Sequence, residues 1–426
     1  MKESRDETLL ECIPQEIRVS YGFSGVIRPW LAGAEVSPDG RTPPPAAQSP
    51  KKSSSSRDST PSTLARLWRR FKPKNLQYWL PFDRYWLDTR AGTRAARQLI
   101  RDEGIEVIHV SADPWAPLVS AYHLSRDLGI PLVVDFRDPW STHQGKMALR
   151  PAITRWWIRR FEARLFAQAS AIILNTETAR DVYIDHYAGR IPAERFYAVR
   201  NAFDLGLFYA NAQEDSTESD RPHVERGAQL EPTKAPFTAL YFGRFRAFVS
   251  PDLLFEGFSR FVQRRQLTPH DAQLKLVGAL SDEHLDVARH FEIVDYLDVH
   301  PPVPFRESLP ILQGASTLLL VIEPDCYMQI PGKLYDYFAA ARPIIALSAN
   351  EEANRMISDV GMGAAIAHND LDSLVHAFDE VYERWLDTSL NAQAHTADAV
   401  APYSAHEQAR QIASIYDAIC PESDES

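Results

Sequence analysis

Cysteine is scarce in this sequence. Cys12, Cys326 and Cys420 are the only three in 426 residues, widely spaced and without C-x-x-C or metal-ligand spacing. That pattern excludes a disulfide framework and fits a reducing, cytoplasmic compartment. Long hydrophobic runs are missing too. No stretch approaches the roughly 18 apolar residues that a membrane span requires, and the opening MKESRDETLLECIPQE lacks the apolar segment of a secretory signal. Membrane contact is therefore expected only as peripheral contact on the inner face of the cell membrane. Positive charge is in deficit, with 46 Lys and Arg against 57 Asp and Glu, a net charge of −11. A nucleic-acid partner is not expected, because phosphate contacts need a surplus of cations. The 13 histidines show no ligand spacing and no Ser-His-Asp order, so neither a metal site nor a hydrolase triad is supported.

What remains is a soluble composition, 45% hydrophobic and 24% charged, long enough for two α/β domains. Residues 37–63 are Pro, Ser, Gly and charge, and read as a disordered insertion. Residues 64–101 are basic and interleaved with aromatics such as Trp68, Trp79 and Trp86. Two readings of that stretch stand: a peripheral membrane face, or a helix packed under a sheet with solvated arginines. Strands and helices then alternate. Expected strands lie at 106–111, 132–136, 171–175 and 196–200, with helices at 116–128, 153–168 and 177–187. Residues 206–235 are polar and read as a linker. A second series follows, with strands at 237–242, 273–277, 296–299, 317–322, 343–346 and 364–367 and helices between them. The expected organisation is an N-terminal domain over 1–205, a C-terminal Rossmann-like domain over 236–402, and a final helix within 403–420.

Two segments of the second domain carry the chemistry. Gln329-Ile-Pro-Gly-Lys-Leu-Tyr-Asp-Tyr-Phe338 follows a strand and opens a helix. Gly332 at such a start admits a ligand to backbone amides, whose unpaired N–H groups and dipole attract a diphosphate. Lys333 adds a full charge, and Asp336, three residues on, is placed to accept from ribose or sugar hydroxyls. The plainer alternative is an amphipathic helix with Leu334, Tyr337 and Phe338 turned inward. Phe242-Gly-Arg-Phe-Arg246 ends the first strand of the same domain. Gly243 permits a turn, and Arg244 or Arg246 is suited to clamp phosphate, unless both are simply solvated. In the first domain, Val133-Val-Asp-Phe-Arg-Asp-Pro-Trp140 puts Arg137 and Asp138 at a strand's carboxyl end, a location that fits a catalytic or acceptor-side role. Its alternative is an Arg137–carboxylate pair that only fixes the loop. Asp370-Leu-Asp372 imitates a metal-binding D-x-D but opens a helix, where Asp is an expected cap.

With those residues in view, the run from Pro81 to Ser141, the LYFGRF strand and the IPGKLYDYFAAARPIIAL block resemble retaining glycosyltransferases of the family-four type. The similarity lies with the subgroup acting on cell-surface and capsular polysaccharides. The resemblance implies a GT-B architecture, two Rossmann-like domains facing across a cleft. It implies transfer of a hexosyl unit, with retention, from a nucleotide-sugar donor to a polysaccharide or lipid-linked acceptor. It implies no metal and no cofactor beyond that donor. Arg137 and Asp138 would be catalytic, and Gly243, Arg244, Arg246, Gly332, Lys333 and Asp336 would bind the donor. The last helix, 405–419, would pack back on the N-terminal domain.

Departures from the family pattern are few but placed at the site. Val249 stands near the position of the family's diphosphate lysine, Met328 near that of its first motif glutamate, with Glu323 or Asp325 as substitutes. Arg137 stands where many relatives have a histidine. The family's opening strand, glycine-rich loop and helix are not visible, so the N-terminal domain reads as incomplete. A misplaced start codon is favoured over natural truncation. The competing function is a non-catalytic, glycosyltransferase-like scaffold or truncated remnant, with an epimerase a weaker third.

Overall fold

The computed structural model describes residues 82–206, 235–243, 251–278, 280–387 and 397–420, together with 13, 17, 78–80 and 245. The expected insertion at 37–63, nearly all of the expected linker and residues 64–77 of the basic stretch lie outside these residues. The chain divides into two compact units. Arg18–Leu174, with Val182–Tyr197 and Ile415 onward, form the N-terminal unit; Met1–Ile17, Asn175–Asp181 and Ala198–Ser414 form the C-terminal unit.

In chain order, the first half runs α1 (Thr89–Glu103), β1 (Ile108–Ala112), α2 (Pro117–Leu128), β2 (Leu132–Phe136), α3 (Gln144–Ala148), α4 (Ala152–Gln168), β3 (Ala171–Leu174), α5 (Glu177–His186) and β4 (Phe196–Ala198). Its four-stranded sheet has the order β1-β2-β3-β4, with parallel pairing of β1 to β2 and β2 to β3. Every residue of β2 (LVVDF) is buried. Helices on both faces require such a run, and alternation with polar residues would expose one face. Strand order here simply follows the chain, so among the described residues this sheet has no reversal of direction.

The second half contributes β5 (Phe237–Phe242), α6 (Asp252–Arg265), β6 (Ala272–Val277), α7 (Asp282–His290), β7 (Leu297–His300), α8 (Ser308–Gln313), β8 (Thr317–Ile322), α9 (Lys333–Ala340), β9 (Ile344–Ser348), α10 (Glu351–Val360), β10 (Gly363–Ile366), α11 (Leu371–Leu386), α12 (Ala397–Val400) and α13 (Ala405–Ile419). Six parallel strands pair in the order β10-β9-β8-β5-β6-β7. Strand alternation sorts the side chains into two cores. Phe237, Ala239, Tyr241, Leu319 and Val321 pack under α6 and α11, while Leu240, Leu318, Leu320 and Ile322 pack under α8, α9 and α10. Successive strands move outward from β5 to β7, and the chain then returns to β8 beside β5. That reversal is what positions the site below.

Helix α6 meets α11 through Gly257. A Cβ built there would stand 2.4 Å from Cδ2 and 2.8 Å from Cγ of Leu374, a side chain with no exposed surface. In an open helix Gly→Ala stabilises by roughly 1 kcal/mol. Here overpacking outweighs it, and Gly257→Ala is expected to destabilise by about 1–3 kcal/mol. A urea midpoint equal to or above that of the wild type would show that the contact gives way freely.

Candidate functional site

Where strand order reverses, the chain leaves β5 and β8 in opposite directions, and the region beyond their carboxyl ends is the position at which open α/β sheets hold ligands. The β5 side turns at Gly243, whose φ of +106° excludes residues with a side chain. Its amide donates to the Val277 carbonyl at 2.7 Å, and Phe245 stacks on Tyr241 at 4.0 Å between ring centroids. The β8 side is held by a buried amide. Asn350 Nδ2 donates to the carbonyls of Cys326, Tyr327 and Gln329, each at 3.1 Å, while Oδ1 caps α10 by accepting from the Ala353 N–H at 2.9 Å. The Thr176 hydroxyl donates to the Met328 carbonyl at 3.0 Å. Met328 itself is buried.

These restraints place α9 at that position, with Gly332 at its amino end exposed. Gly332 is the N-cap, with φ −54° and no side chain capping the turn. The amides of Leu334 and Tyr335 close onto the carbonyls of Pro331 and Gly332 at 3.0 Å. A Cβ on Gly332 would meet nothing within 4 Å. Neither backbone angle nor packing demands glycine there, and among the described residues a side chain at that position has room. Lys333 Nζ lies 4.0 Å from the centroid of the Tyr241 ring and donates to the Phe242 carbonyl at 3.5 Å. The first residue of α9 thus places its ammonium at the tip of β5, and Gly243, Gly332 and Lys333 come together. Tyr337 ties the same two strands from beneath: its hydroxyl donates to the Leu319 carbonyl at 3.1 Å and accepts from the Phe242 N–H at 3.3 Å. Arg244 and Arg246 lie outside the described residues. Asp336 stands in the first turn of α9, where burial pushes its carboxyl up to about 7.

In the N-terminal unit the loop after β2 is held by paired charges. Arg137 donates from Nε (2.9 Å) and Nη2 (2.7 Å) to one oxygen of buried Asp135, whose other oxygen is buried without a partner. Asp138 instead pairs with Lys146 at 2.8 Å. The two candidate side chains are therefore engaged with different partners. Beyond them, Trp140 stacks on Trp115 at 4.6 Å and 6°, and Ser141 is fixed by Glu162 of α4. That fully buried carboxylate accepts from the Ser141 amide (3.1 Å) and hydroxyl (2.5 Å) and from the Tyr187 hydroxyl (2.8 Å). Burial pushes its pKa up, and these donors oppose the rise. Among the described residues, no group of three or more His, Cys, Asp or Glu is arranged to hold a metal ion, and Asp370 caps α11 through the Ser373 amide at 3.0 Å.

This arrangement has relatives. Sucrose-phosphate synthase from Thermosynechococcus elongatus is similar over 80% of each chain, at 16% identity and a TM-score of 0.56. A glycosyltransferase from Rickettsia africae covers 79% of this chain and 82% of its own, at 13% identity and 0.55. Anabaena HepE, in complex with UDP and glucose, covers 78% and 81%, at 16% identity and 0.54. The fold is GT-B. Residues 38–207 match the sequence pattern of Glycosyltransferase Family 4, whereas no curated protein matches the chain.

Within this GT-B chain, sequence reasoning missed Asn350, Tyr337 and Glu162 as the residues that hold the two loops. Asn350 had a signal, since Asn before Glu351 and Glu352 is a helix-cap pattern. Glu162 had none, because an acid in the middle of an Arg-rich helix reads as solvated.

Two outcomes follow from these groups. In the native protein Asp336 keeps its proton to about pH 7, against an ordinary value of 3.8, so between those values the native state binds more protons and stability falls as pH rises. Asp336→Asn removes that slope, and its melting temperature should gain on the wild type between pH 5 and 8; a constant gap would refute the shift. Glu162→Gln sets an N–H₂ against hydroxyl and amide donors and should cost about 1–3 kcal/mol in urea unfolding; an unchanged midpoint would mean that the network contributes nothing.

Proposed function

We propose that this chain is a metal-independent, retaining glycosyltransferase that moves a hexosyl unit from a nucleoside-diphosphate sugar to a polysaccharide or lipid-linked acceptor. The observation that carries this reading is the open amino end of α9 at the strand reversal, with the Lys333 ammonium beside it at the tip of β5. Breaking the bond between the anomeric carbon and the diphosphate leaves negative charge on phosphate oxygens. Preorganised amides, a helix dipole and a lysine stabilise such charge without reorganising. Asp336, in the next positions of that helix, faces the donor's hydroxyls in this reading, and Arg244 and Arg246 reach its phosphates.

In the N-terminal unit, Arg137 and Asp138 serve the acceptor side. The acceptor hydroxyl attacks the anomeric carbon on the face the diphosphate leaves and gives its proton to a departing phosphate oxygen, with retention. Retention and the polysaccharide or lipid-linked acceptor rest on the resemblance of the D-F-R-D-P-W and P-G-K-L-Y-D-Y segments. The second reading, a non-catalytic scaffold, draws on buried Met328, which stands where the resemblance calls for a glutamate.

HepE was seen with UDP and glucose, so UDP-glucose is the first donor to try, with GDP and ADP sugars beside it. A donor present at 100 times its Kd should stabilise the fold by about 2.7 kcal/mol, read as a melting shift. Gly332→Val should melt with the wild type, because its Cβ has room, and lose the shift by filling the space before the helix. Lys333→Ala should weaken binding about 10–100-fold, the worth of a charge-assisted contact. If no nucleotide sugar shifts the wild type, the scaffold reading replaces the enzyme.

A further inference from the structure

The outer face of α4 is unlike an ordinary solvated helix face. Its inner side, Thr154, Ile158, Glu162, Leu165 and Phe166, is buried. Its outer side begins with Ile153, Trp156 and Trp157, which are 57%, 53% and 49% exposed, and continues as Arg159, Arg160 and Arg164. The helix's one acid is the buried Glu162, so nothing on the exposed side offsets the arginines. Residues 79–80 are bound alongside: the Thr154 hydroxyl donates to the Trp79 carbonyl at 2.9 Å and Arg150 to the Leu80 carbonyl at 2.6 Å. That brings Trp79, 55% exposed, and exposed Trp86 next to Ile153 and Trp157. Together they line an apolar groove of about 420 Å³.

Beside it lies a second groove of about 570 Å³, walled by Trp156, Arg155, Arg159, Arg160, Arg164 and Arg190 with no carboxylate in its lining. Arg160 lies over the Trp156 ring at 5.7 Å. Among the described residues, Arg155, Arg159, Arg160 and Arg164 have no acidic partner within 4 Å. The basic, aromatic stretch that the sequence marks at 64–101 supplies only part of this surface. Helix α1 within it packs on α2 and carries basic residues but no exposed large apolar side chain.

We propose that this face, built from Trp79, Leu80, Trp86 and the exposed side of α4, docks the chain on the surface of an anionic lipid bilayer. Tryptophan and isoleucine side chains enter the interface between headgroups and acyl chains, and the adjacent arginines meet lipid phosphates. A second copy of the chain is a poor occupant. A two-fold contact would set arginines against arginines with no carboxylate on either side. No helix among the described residues is long and apolar enough to cross a membrane, so the contact is one of adsorption. It stands independently of donor binding.

The test is vesicle co-sedimentation of the full chain, without nucleotide, on phosphatidylglycerol-containing and pure phosphatidylcholine vesicles. Binding at least tenfold stronger to the anionic vesicles is expected, with quenching of tryptophan emission by bromine-labelled lipid. Trp156→Ala with Trp157→Ala should abolish the quenching and weaken binding at least tenfold. Arg159→Gln with Arg160→Gln should weaken it about fivefold per charge and reduce its salt dependence. Both double variants alter exposed side chains, and unchanged circular-dichroism melting will confirm that they fold. Equal binding to both vesicle types, or variants that bind as the wild type does, would overturn the proposal. So would a wild-type dimer in sedimentation velocity that the tryptophan variant dissociates, since that assigns the face to a second copy.

Discussion

A parallel sheet that reverses its strand order must leave a gap, and this chain fills the rim of that gap with a helix end. Everything at the candidate donor site depends on that geometry. The reversal between β5 and β8 parts the two loops, α9 enters with Gly332 foremost and uncapped, and Lys333 reaches across to the Phe242 carbonyl. The ring face of Tyr241 and the Phe242 carbonyl hold the Lys333 ammonium at the tip of β5. The helix end is positive and carries no side-chain cap, and fixed dipoles of that kind can stabilise a developing anion.

Rigidity at both loops comes from single buried polar side chains. Asn350 gathers three carbonyls of the loop before α9 and caps the next helix with its other atom. Glu162 gathers an amide and two hydroxyls behind the D-F-R-D-P-W loop. Loops cannot bury backbone polar groups without partners, and a side chain able to make several bonds at once meets that need with the fewest atoms. Glu352 does the same at the start of α5, accepting from the amides of Glu177 and Thr178 while pairing with Arg200. These acids and amides fix where the loops beside them stand.

Much of this was readable from the chain. Apolar runs such as LVVDF and TLLLVI became buried parallel strands at the expected bounds, because a strand covered on both faces has no room for polar alternation. Gly-Lys after a strand correctly marked a helix start, and Asp370 proved to be a cap. Other strands shifted by a residue or two, as with β1, which opens at Ile108 rather than Glu106, since pairing to β2 rather than composition sets its end. Less legible was the aromatic and basic surface. Spacing along 64–101 suggested a contiguous segment, but the exposed tryptophans of α4 complete it, seventy or so residues later in the chain.

The sequence by itself determined the α/β class, the alternation of elements and the glycine and lysine that open α9, because local periodicity and backbone conformation are encoded within a few residues. Tertiary structure alone decided that Lys333 would meet the tip of β5, that Glu162 would meet Ser141 and Tyr187, and that Trp79 would join Trp156 and Trp157 on one face. Such meetings depend on strand order and helix packing, and no spacing along the chain records which distant side chains a reversal of the sheet will bring together.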